Sequence, residues 1–207
     1  MGGTFAEYES DEELPHRPHT AFRGPAARGN YLAADRIDAM YACKEICRWM
    51  SKPTVLAWTA LKRVCRYLHG VPGLVYIYPQ QSVEGVDVYA DTVLAGCPKT
   101  RTSTSGGCVM LGSHAIKHWS SAQASVACSS GEAEFARVTR GAGQGLGHKA
   151  LLEDLGAGAH LRVWTDSGAA IGICSRQGLG KLRHLGAHTL WIQQAFRAGR
   201  VDFRKVV

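Results

Sequence analysis

The sequence lacks the long apolar run, of about 18 residues, that a membrane-spanning helix needs. Its first residues, MGGTFAEYESDEEL, have no basic head and no apolar stretch, so they do not resemble a secretory signal. The seven cysteines are odd in number, widely spaced and without a CxxC pair, which excludes a disulfide framework and disfavours a structural zinc site. We therefore expect an intracellular protein, in the cytoplasm or nucleus, with no membrane partner.

Acidic residues are scarce outside the N-terminal segment. The chain has 24 Lys and Arg against 17 Asp and Glu, a formal net charge of +7, and five of the acids but none of the basic residues lie within residues 1–14. The strongly basic remainder suits a polyanionic partner such as nucleic acid. Hydrophobic residues make up 45% of the chain, enough for a packed core, so a wholly disordered chain is excluded.

The first part of the chain predicts a tail followed by helices. Residues 1–30 are acidic and then rich in Pro, Gly and Arg, with little apolar periodicity, which predicts a disordered or loosely ordered tail. Apolar residues recur at steps of three and four over residues 35–50 and again from a cap at Thr54 to His69. This pattern predicts two helices, which end at the GVPG sequence of residues 70–73.

From Leu74 onward the pattern changes to strands. Short β-rich runs alternate with helical periodicity, and Gly112-Ser113-His114 predicts a hairpin. The result is a mixed α/β domain. Strands are predicted at 74–78, 86–90, 107–111, 115–119, 161–165 and in the final VDFRKVV, and helices at 129–155, 167–176 and 182–196.

Three carboxylates stand where such a domain brings side chains together. Asp91 ends one predicted strand and Asp166 another, and adjacent parallel strands place such ends side by side. Glu132 or Glu134 opens the helix after the hairpin. Converging carboxylates suit hard cations such as Mg²⁺, and a pair of such ions can activate water against a phosphodiester. Each acid also has a structural interpretation: Asp166 as a helix cap, Glu134 as a favourable charge at a helix start, and Asp91 as a strand end.

Five sequence blocks make the interpretation more specific. In this order and spacing they resemble the ribonuclease H domain of copia-type retrotransposon Pol polyproteins. Residues 49–78 look like the end of the reverse transcriptase region of the same family. The resemblance divides the chain into a tail (1–30), a helical reverse transcriptase remnant (31–73) and a ribonuclease H-like domain (74–207). The blocks are YADTVLAG, TSTSGG, HWSSAQASVACSSGEAEF, VWTDSGAAI and GKLRHLGAHTLWIQQAF.

The resemblance implies a fold and an activity. The fold would be α/β, a ribonuclease H-like five-stranded mixed sheet with its first three strands antiparallel, flanked by helices and preceded by two helices. The activity would be endonucleolytic cleavage of the RNA strand of RNA–DNA hybrids with two Mg²⁺ ions, for which Mn²⁺ can substitute. The catalytic and metal-binding residues would be Asp91, Glu134 and Asp166. Glu132 lies about 200° from Glu134 around a helix, so it cannot face the same metals.

Four basic residues flank the motifs and are candidates for phosphate contacts or, alternatively, for simple solvation: Lys99, Arg101, Lys181 and Arg183. The partners would be RNA–DNA hybrid or other nucleic acid, together with other segments of a Pol polyprotein. The paired aspartates of a polymerase are absent, so the chain is not expected to be an active reverse transcriptase.

The sequence departs from the family pattern at the motif that reads RHLG. Gly186 stands where the family has a fourth acid, which should weaken one metal site; His184 or His188 could handle substrate or simply lie on the surface. The GAGQGLG sequence (141–147) adds glycines to the helix of Glu134, each costing about 1 kcal/mol relative to alanine. These departures leave two alternatives to the enzyme open: a catalytically weakened or inactive nucleic-acid-binding relic, or a decayed chain that folds poorly.

Overall fold

The computed structural model describes residues 12–93, 103–123, 129–178, 180 and 190–206. The chain separates into two compact units, and the division falls between Ile77 and Tyr78. Within the described residues, no helix combines the length and the apolarity that crossing a bilayer requires. The elements are α1 (His16–Leu32), α2 (Ile37–Cys47), α3 (Val55–Gly70), β1 (Gly85–Val93), β2 (Thr104–Leu111), β3 (His114–Ala122), α4 (Ser130–Asp154), β4 (His160–Thr165), α5 (Gly168–Ser175), α6 (Trp191–Arg197) and β5 (Asp202–Lys205).

The N-terminal unit contains a helix in the segment where the sequence predicted a loose tail. Helix α1 begins at His16 and runs through Pro25. Phe22 and Ala26, one helical turn apart, are buried in a core with Ile46 and Leu61 of the two predicted helices. Because proline and glycine have low helix propensity, the sequence of this segment does not predict a helix. The apolar contacts that stabilise the helix are made only in the folded unit.

The two predicted helices form with the expected cap. Thr54 adopts an extended backbone conformation, and its Oγ1 accepts a hydrogen bond from the N–H of Ala57 at 3.2 Å. The cap satisfies one of the N–H groups that a helix start leaves unpaired. Helix α3 therefore begins where the sequence predicted.

Residues 74–78 do not form the predicted strand. Val75 and Ile77 are 82% and 81% exposed, and the structure gives residues 72–84 no helix or strand. A β-rich run becomes a strand only where a neighbouring strand accepts it. Further along this segment, the side chain of Gln81 donates to the carbonyl of Leu111 at 2.7 Å and accepts from the N–H of Ser113 at 2.9 Å, so it braces the β2–β3 hairpin.

The second unit is built on one five-stranded mixed sheet of order β3-β2-β1-β4-β5. Strand β1 pairs antiparallel with β2, and β2 with β3, while β1–β4 and β4–β5 are parallel. This topology confirms the ribonuclease H-like five-stranded sheet, with its first three strands antiparallel, that the sequence implied. After the antiparallel strands β1, β2 and β3, the long helix α4 lies on one face of the sheet and leads to β4, which pairs parallel with β1.

Helix α4 runs unbroken to Asp154 despite its glycines. A Cβ on Gly145 would lie 2.3 Å from a methyl carbon of Leu161 and 2.9 Å from one of Val88, and one on Gly141 would lie 3.2 Å from Val88. Both sheet residues are buried in the core. The helix tolerates these two glycines because their lack of a side chain lets its backbone approach the sheet.

Candidate active site

The topology brings Asp91 and Asp166 to the same edge of the sheet. Tyr89 of β1 pairs with Trp164 of the parallel strand β4, so the residues two positions further along, Asp91 and Asp166, follow side by side. Parallel strands present their carboxyl ends at one edge, where the loops of α/β proteins commonly form binding sites. The geometric expectation from the sequence is therefore met for these two residues.

Glu134 reaches the same place from helix α4. Ser129 caps the helix by accepting a hydrogen bond from the N–H of Glu132 at 3.2 Å, which fixes the start of the helix next to the strand ends. Glu134 then lies just over one turn in. The N-terminus of a helix also favours a carboxylate electrostatically.

Arg137 joins the three carboxylates. Its Nη1 donates to Asp91 Oδ1 at 3.0 Å, and its Nη2 donates to Asp166 Oδ1 at 3.1 Å and to Thr165 Oγ1 at 2.6 Å. Nη2 also contacts Glu134 Oε2 in a short ion pair. One guanidinium thus lies at the point where all three predicted ligands converge.

Burial differs sharply across this cluster. The Arg137 side chain is 1% exposed and that of Glu134 is 19% exposed, whereas the side chains of Asp91 and Asp166 are 86% and 72% exposed. Burial raises the pKa of Glu134, the carboxylates of Asp166 and Asp91 raise it further, and the positive charge of Arg137 opposes them. The charge of Arg137 therefore favours the ionised form of Glu134 against the effect of burial.

The ligand chemistry at this edge fits a divalent cation. All three groups are carboxylates, the hard oxygen donors that Mg²⁺ prefers, and they already converge on a positive charge. In the described part of the chain, however, no three Asp, Glu, His or Cys side chains are arranged to hold a metal ion directly. The guanidinium is the cation around which the cluster is organised in this structure.

The other residues singled out in the sequence fall into two groups. A further acid of β1, Asp87, lies four residues before Asp91 and pairs with Arg162 of β4, so it has a structural partner of its own. Glu132 is buried, 7% exposed. Several predicted residues lie outside the described residues, and the structure neither supports nor contradicts their roles: Lys99, Arg101, Lys181, Arg183, His184, Gly186 and His188.

Sequence reasoning missed Arg137. The signal was available, because Arg137 is three residues after Glu134 and side chains at that spacing share a helix face. Its position on the same helix face as Glu134 indicates that a positive charge lies next to the proposed ligands.

A concavity of about 490 Å³ adjoins the carboxylates. The rings of Tyr89 and Trp164, both among its lining residues, stack with centroids 5.9 Å apart and planes 9° from parallel. Asp91, Asp166 and Gly106 line the same depression. Carboxylates and flat aromatic surfaces therefore face one opening.

Comparisons with known proteins find relatives among the retrotransposon Pol polyproteins. Over 183 residues, the chain is 31% identical to the retrovirus-related Pol polyprotein from transposon RE2 of Arabidopsis thaliana, which covers 87% of this chain and 13% of that protein. The corresponding protein from transposon RE1 is 34% identical over 137 residues, 66% of this chain and 9% of that protein. The resemblance to retrotransposon Pol polyproteins is confirmed.

The chain spans only a small part of the length of these Pol polyproteins. No family model matches it. Among solved structures, the N-terminal RNase H domain of a Mycobacterium tuberculosis protein, studied as a fusion with maltose binding protein, is 20% identical with a TM-score of 0.38. That match covers 60% of this chain and 83% of the other. The chain is therefore similar to a part of the retrotransposon Pol polyproteins, and its sheet has the ribonuclease H-like topology.

Proposed function

We propose that the chain is a ribonuclease H-type hydrolase that cleaves the RNA strand of RNA–DNA hybrids. The observation that carries the proposal is the convergence of Asp91, Glu134 and Asp166 at one edge of the sheet. Two strand ends and one helix start, far apart in sequence, deliver three carboxylates to a single cation. Ordinary strand ends and helix caps have no reason to meet in this way.

The residues have distinct roles in this proposal. Asp91, Glu134 and Asp166 would hold divalent ions, which when bound supply an activated water and stabilise charge on the phosphate. Asp91 and Asp166 are exposed and can reach toward substrate, whereas the half-buried Glu134 fixes the inner side of the site. Tyr89 and Trp164 offer flat surfaces to the sugars or bases of a bound strand.

The excess of basic residues would draw the polyanionic hybrid to this surface. Lys99, Arg101, Lys181 and Arg183 are the proposed phosphate contacts, because each lies in sequence close to a block that carries the resemblance. Replacing any one of them should weaken hybrid binding and reduce its dependence on salt.

The test is cleavage of a labelled RNA–DNA hybrid by the purified chain with Mg²⁺ or Mn²⁺. We expect cleavage of the RNA strand alone, lost in EDTA and in Asp166→Asn. Asp154→Asn is the matched control, because Asp154 is an exposed aspartate at the far end of α4 and should keep full activity. A folded wild-type chain that leaves the hybrid intact with either metal would contradict the proposal.

A second candidate is a metal-free binding protein of the same fold. The specific observation that favours it is the contact of Arg137 with all three carboxylates, since a site satisfied by its own guanidinium has less need of metal. The absence of an acid at Gly186 points the same way. This candidate predicts that the folded wild-type chain binds the hybrid in EDTA, measured by fluorescence anisotropy, and does not cleave it when Mg²⁺ is added.

A further inference from the structure

We propose that Arg137 is a built-in cation that competes with divalent metal ions for the carboxylate site. The proposal rests on the proposed function in one respect, that Asp91, Glu134 and Asp166 are the metal ligands. Its content is that the guanidinium and the metal ions cannot occupy the site together. Metal binding would then require Arg137 to leave its three acidic partners.

The geometry supports mutual exclusion. Arg137 Nη1 and Nη2 lie 3.0 Å and 3.1 Å from the oxygens of Asp91 and Asp166, and Nη2 also contacts Glu134. A Mg²⁺ ion holds its oxygen ligands at about 2.1 Å and tolerates little deviation from octahedral geometry. Carboxylates spread around a guanidinium must close in before they can share such an ion, and the guanidinium stands in the space that they would close.

Charge makes the competition strong. A positive charge in contact with three carboxylates lowers their attraction for any second cation, and the buried position of Arg137 limits screening by solvent. One guanidinium nevertheless leaves part of the negative charge of three carboxylates uncompensated. The site therefore remains attractive to a divalent ion, but less so than the bare cluster.

The hydrogen bonds of the Arg137 guanidinium leave one of its donors unsatisfied. Its Nε is buried and finds no hydrogen-bond partner among the described residues. An unsatisfied buried donor costs free energy, which is recovered when the side chain moves to water. This cost makes it easier for a metal ion to displace Arg137 from the carboxylates.

The test compares cation binding by charge variants at position 137, using MnCl₂ alone and the electron paramagnetic resonance signal of free Mn²⁺. Arg137→Met removes the charge and keeps a long, unbranched side chain. We expect it to bind Mn²⁺ at least about tenfold more tightly than the wild type, the least that removing a contacting positive charge should produce. Arg137→Lys, which keeps the charge, should gain much less.

Two controls confine the effect to this site. Arg140→Met removes a positive charge one turn further along α4, where Arg140 is exposed and contacts Ser121 Oγ, and should leave Mn²⁺ affinity unchanged. Adding Asp166→Asn to Arg137→Met should abolish the gain. An Arg137→Met protein that melts cooperatively yet binds Mn²⁺ no more tightly than the wild type would overturn the proposal, as would an equal gain in Arg140→Met.

A measurement on the wild type covers the case in which Arg137→Met does not fold. The ¹⁵N NMR signals of the Arg137 side chain should be well resolved in EDTA and should shift or broaden as MgCl₂ is added. Signals that stay unchanged while Mg²⁺ binds at the carboxylates would show that both cations fit together. None of these measurements involves RNA cleavage. The proposed competition can therefore be disproved without disproving the proposed hydrolase activity, and the activity can be disproved without disproving the competition.

Discussion

Asp87 on β1 and Arg162 on β4 form a bidentate ion pair across two paired parallel strands. Arg162 Nε and Nη2 each donate to a carboxylate oxygen at 2.7 Å, and Trp164 Nε1 donates to Oδ1 at 2.6 Å. Burial alone would raise the pKa of Asp87, but the hydrogen bonds from Arg162 and Trp164 outweigh it and hold that pKa below its usual value. The pair fixes the register of the two strands that deliver Asp91 and Asp166.

Replacing Asp87 by Asn should destabilise the sheet in a pH-dependent way. The change leaves Arg162 without its charged partner, and we expect the free energy of unfolding at pH 7 to fall by about 1–3 kcal/mol. Because the pKa of Asp87 is lowered in the folded protein, its stabilisation is fully present above the unfolded value of about 3.9 and is lost as the pH falls through the folded value.

Urea unfolding at a series of pH values checks this prediction. The difference in stability between the wild type and Asp87→Asn should be largest near neutral pH and should shrink in acid. A difference that stays constant from pH 7 to below pH 3 would mean that the charge of Asp87 contributes nothing and that only the shape of the side chain matters.

Two glycines of α4 should respond in opposite directions to replacement by alanine. Gly145→Ala places a Cβ 2.3 Å from a methyl carbon of the buried Leu161, so we expect a loss of about 1–3 kcal/mol from overpacking. Gly147→Ala meets nothing within 4 Å on an exposed part of the helix and should stabilise by up to about 1 kcal/mol. Thermal and urea unfolding of both variants measures the pair. If both variants lose stability, the close approach of the helix to the sheet is not the reason that Gly145 must be glycine.

Helix α1 gives a prediction about the N-terminal unit. Phe22 is fully buried, whereas Tyr31 on the same helix is 81% exposed. Phe22→Ala should cost about 3–5 kcal/mol and should expose residues 16–32 to proteolysis, while Tyr31→Ala should change little. Limited proteolysis with mass spectrometry distinguishes the two. If residues 16–32 of the wild type are cleaved as rapidly as those of Phe22→Ala, the packing of α1 is contradicted.

The sequence predicts well those features that depend on short-range chemistry. The cap at Thr54 was predicted and forms, because a side-chain oxygen three residues before an unpaired N–H satisfies it locally. The helix predicted from residue 129 also forms, and Ser129 caps it in the same way. The turn at Gly112 was predicted and has φ of +60°, a conformation that glycine adopts without strain. The meeting of Asp91 with Asp166 was predictable too, since it follows from the parallel pairing of two strands.

Features that depend on distant partners were missed. Helix α1 contains Pro25, and its stability comes from contacts of Phe22 with residues from other helices. The run at 74–78 is rich in β-forming residues but pairs with no strand among the described residues. The role of Arg137 depends on which three carboxylates lie within reach of its guanidinium, and only the folded chain brings Asp91 and Asp166 to it.

Glu132 and Glu134, near the start of α4, provide the most direct test of the site. They lie two residues apart in sequence and have the same side chain. Glu134 contacts Arg137 with Asp91 and Asp166, whereas Glu132 lies about 200° away around the helix. If the hydrolase proposal holds, Glu134→Gln should lower the rate of RNA cleavage by on the order of a hundredfold, the scale of a single charge-stabilising group, because it removes a carboxylate from the point of convergence.

Glu132→Gln keeps that carboxylate set intact and should retain most of the rate. Circular dichroism of both proteins controls for loss of the helix, since Glu132 is itself buried. Equal losses in two folded variants would mean that the helix start, and not the Glu134 carboxylate, supports catalysis. An active Glu134→Gln would remove this residue from the reaction and leave the two strand-end aspartates as the only candidates on the described part of the sheet.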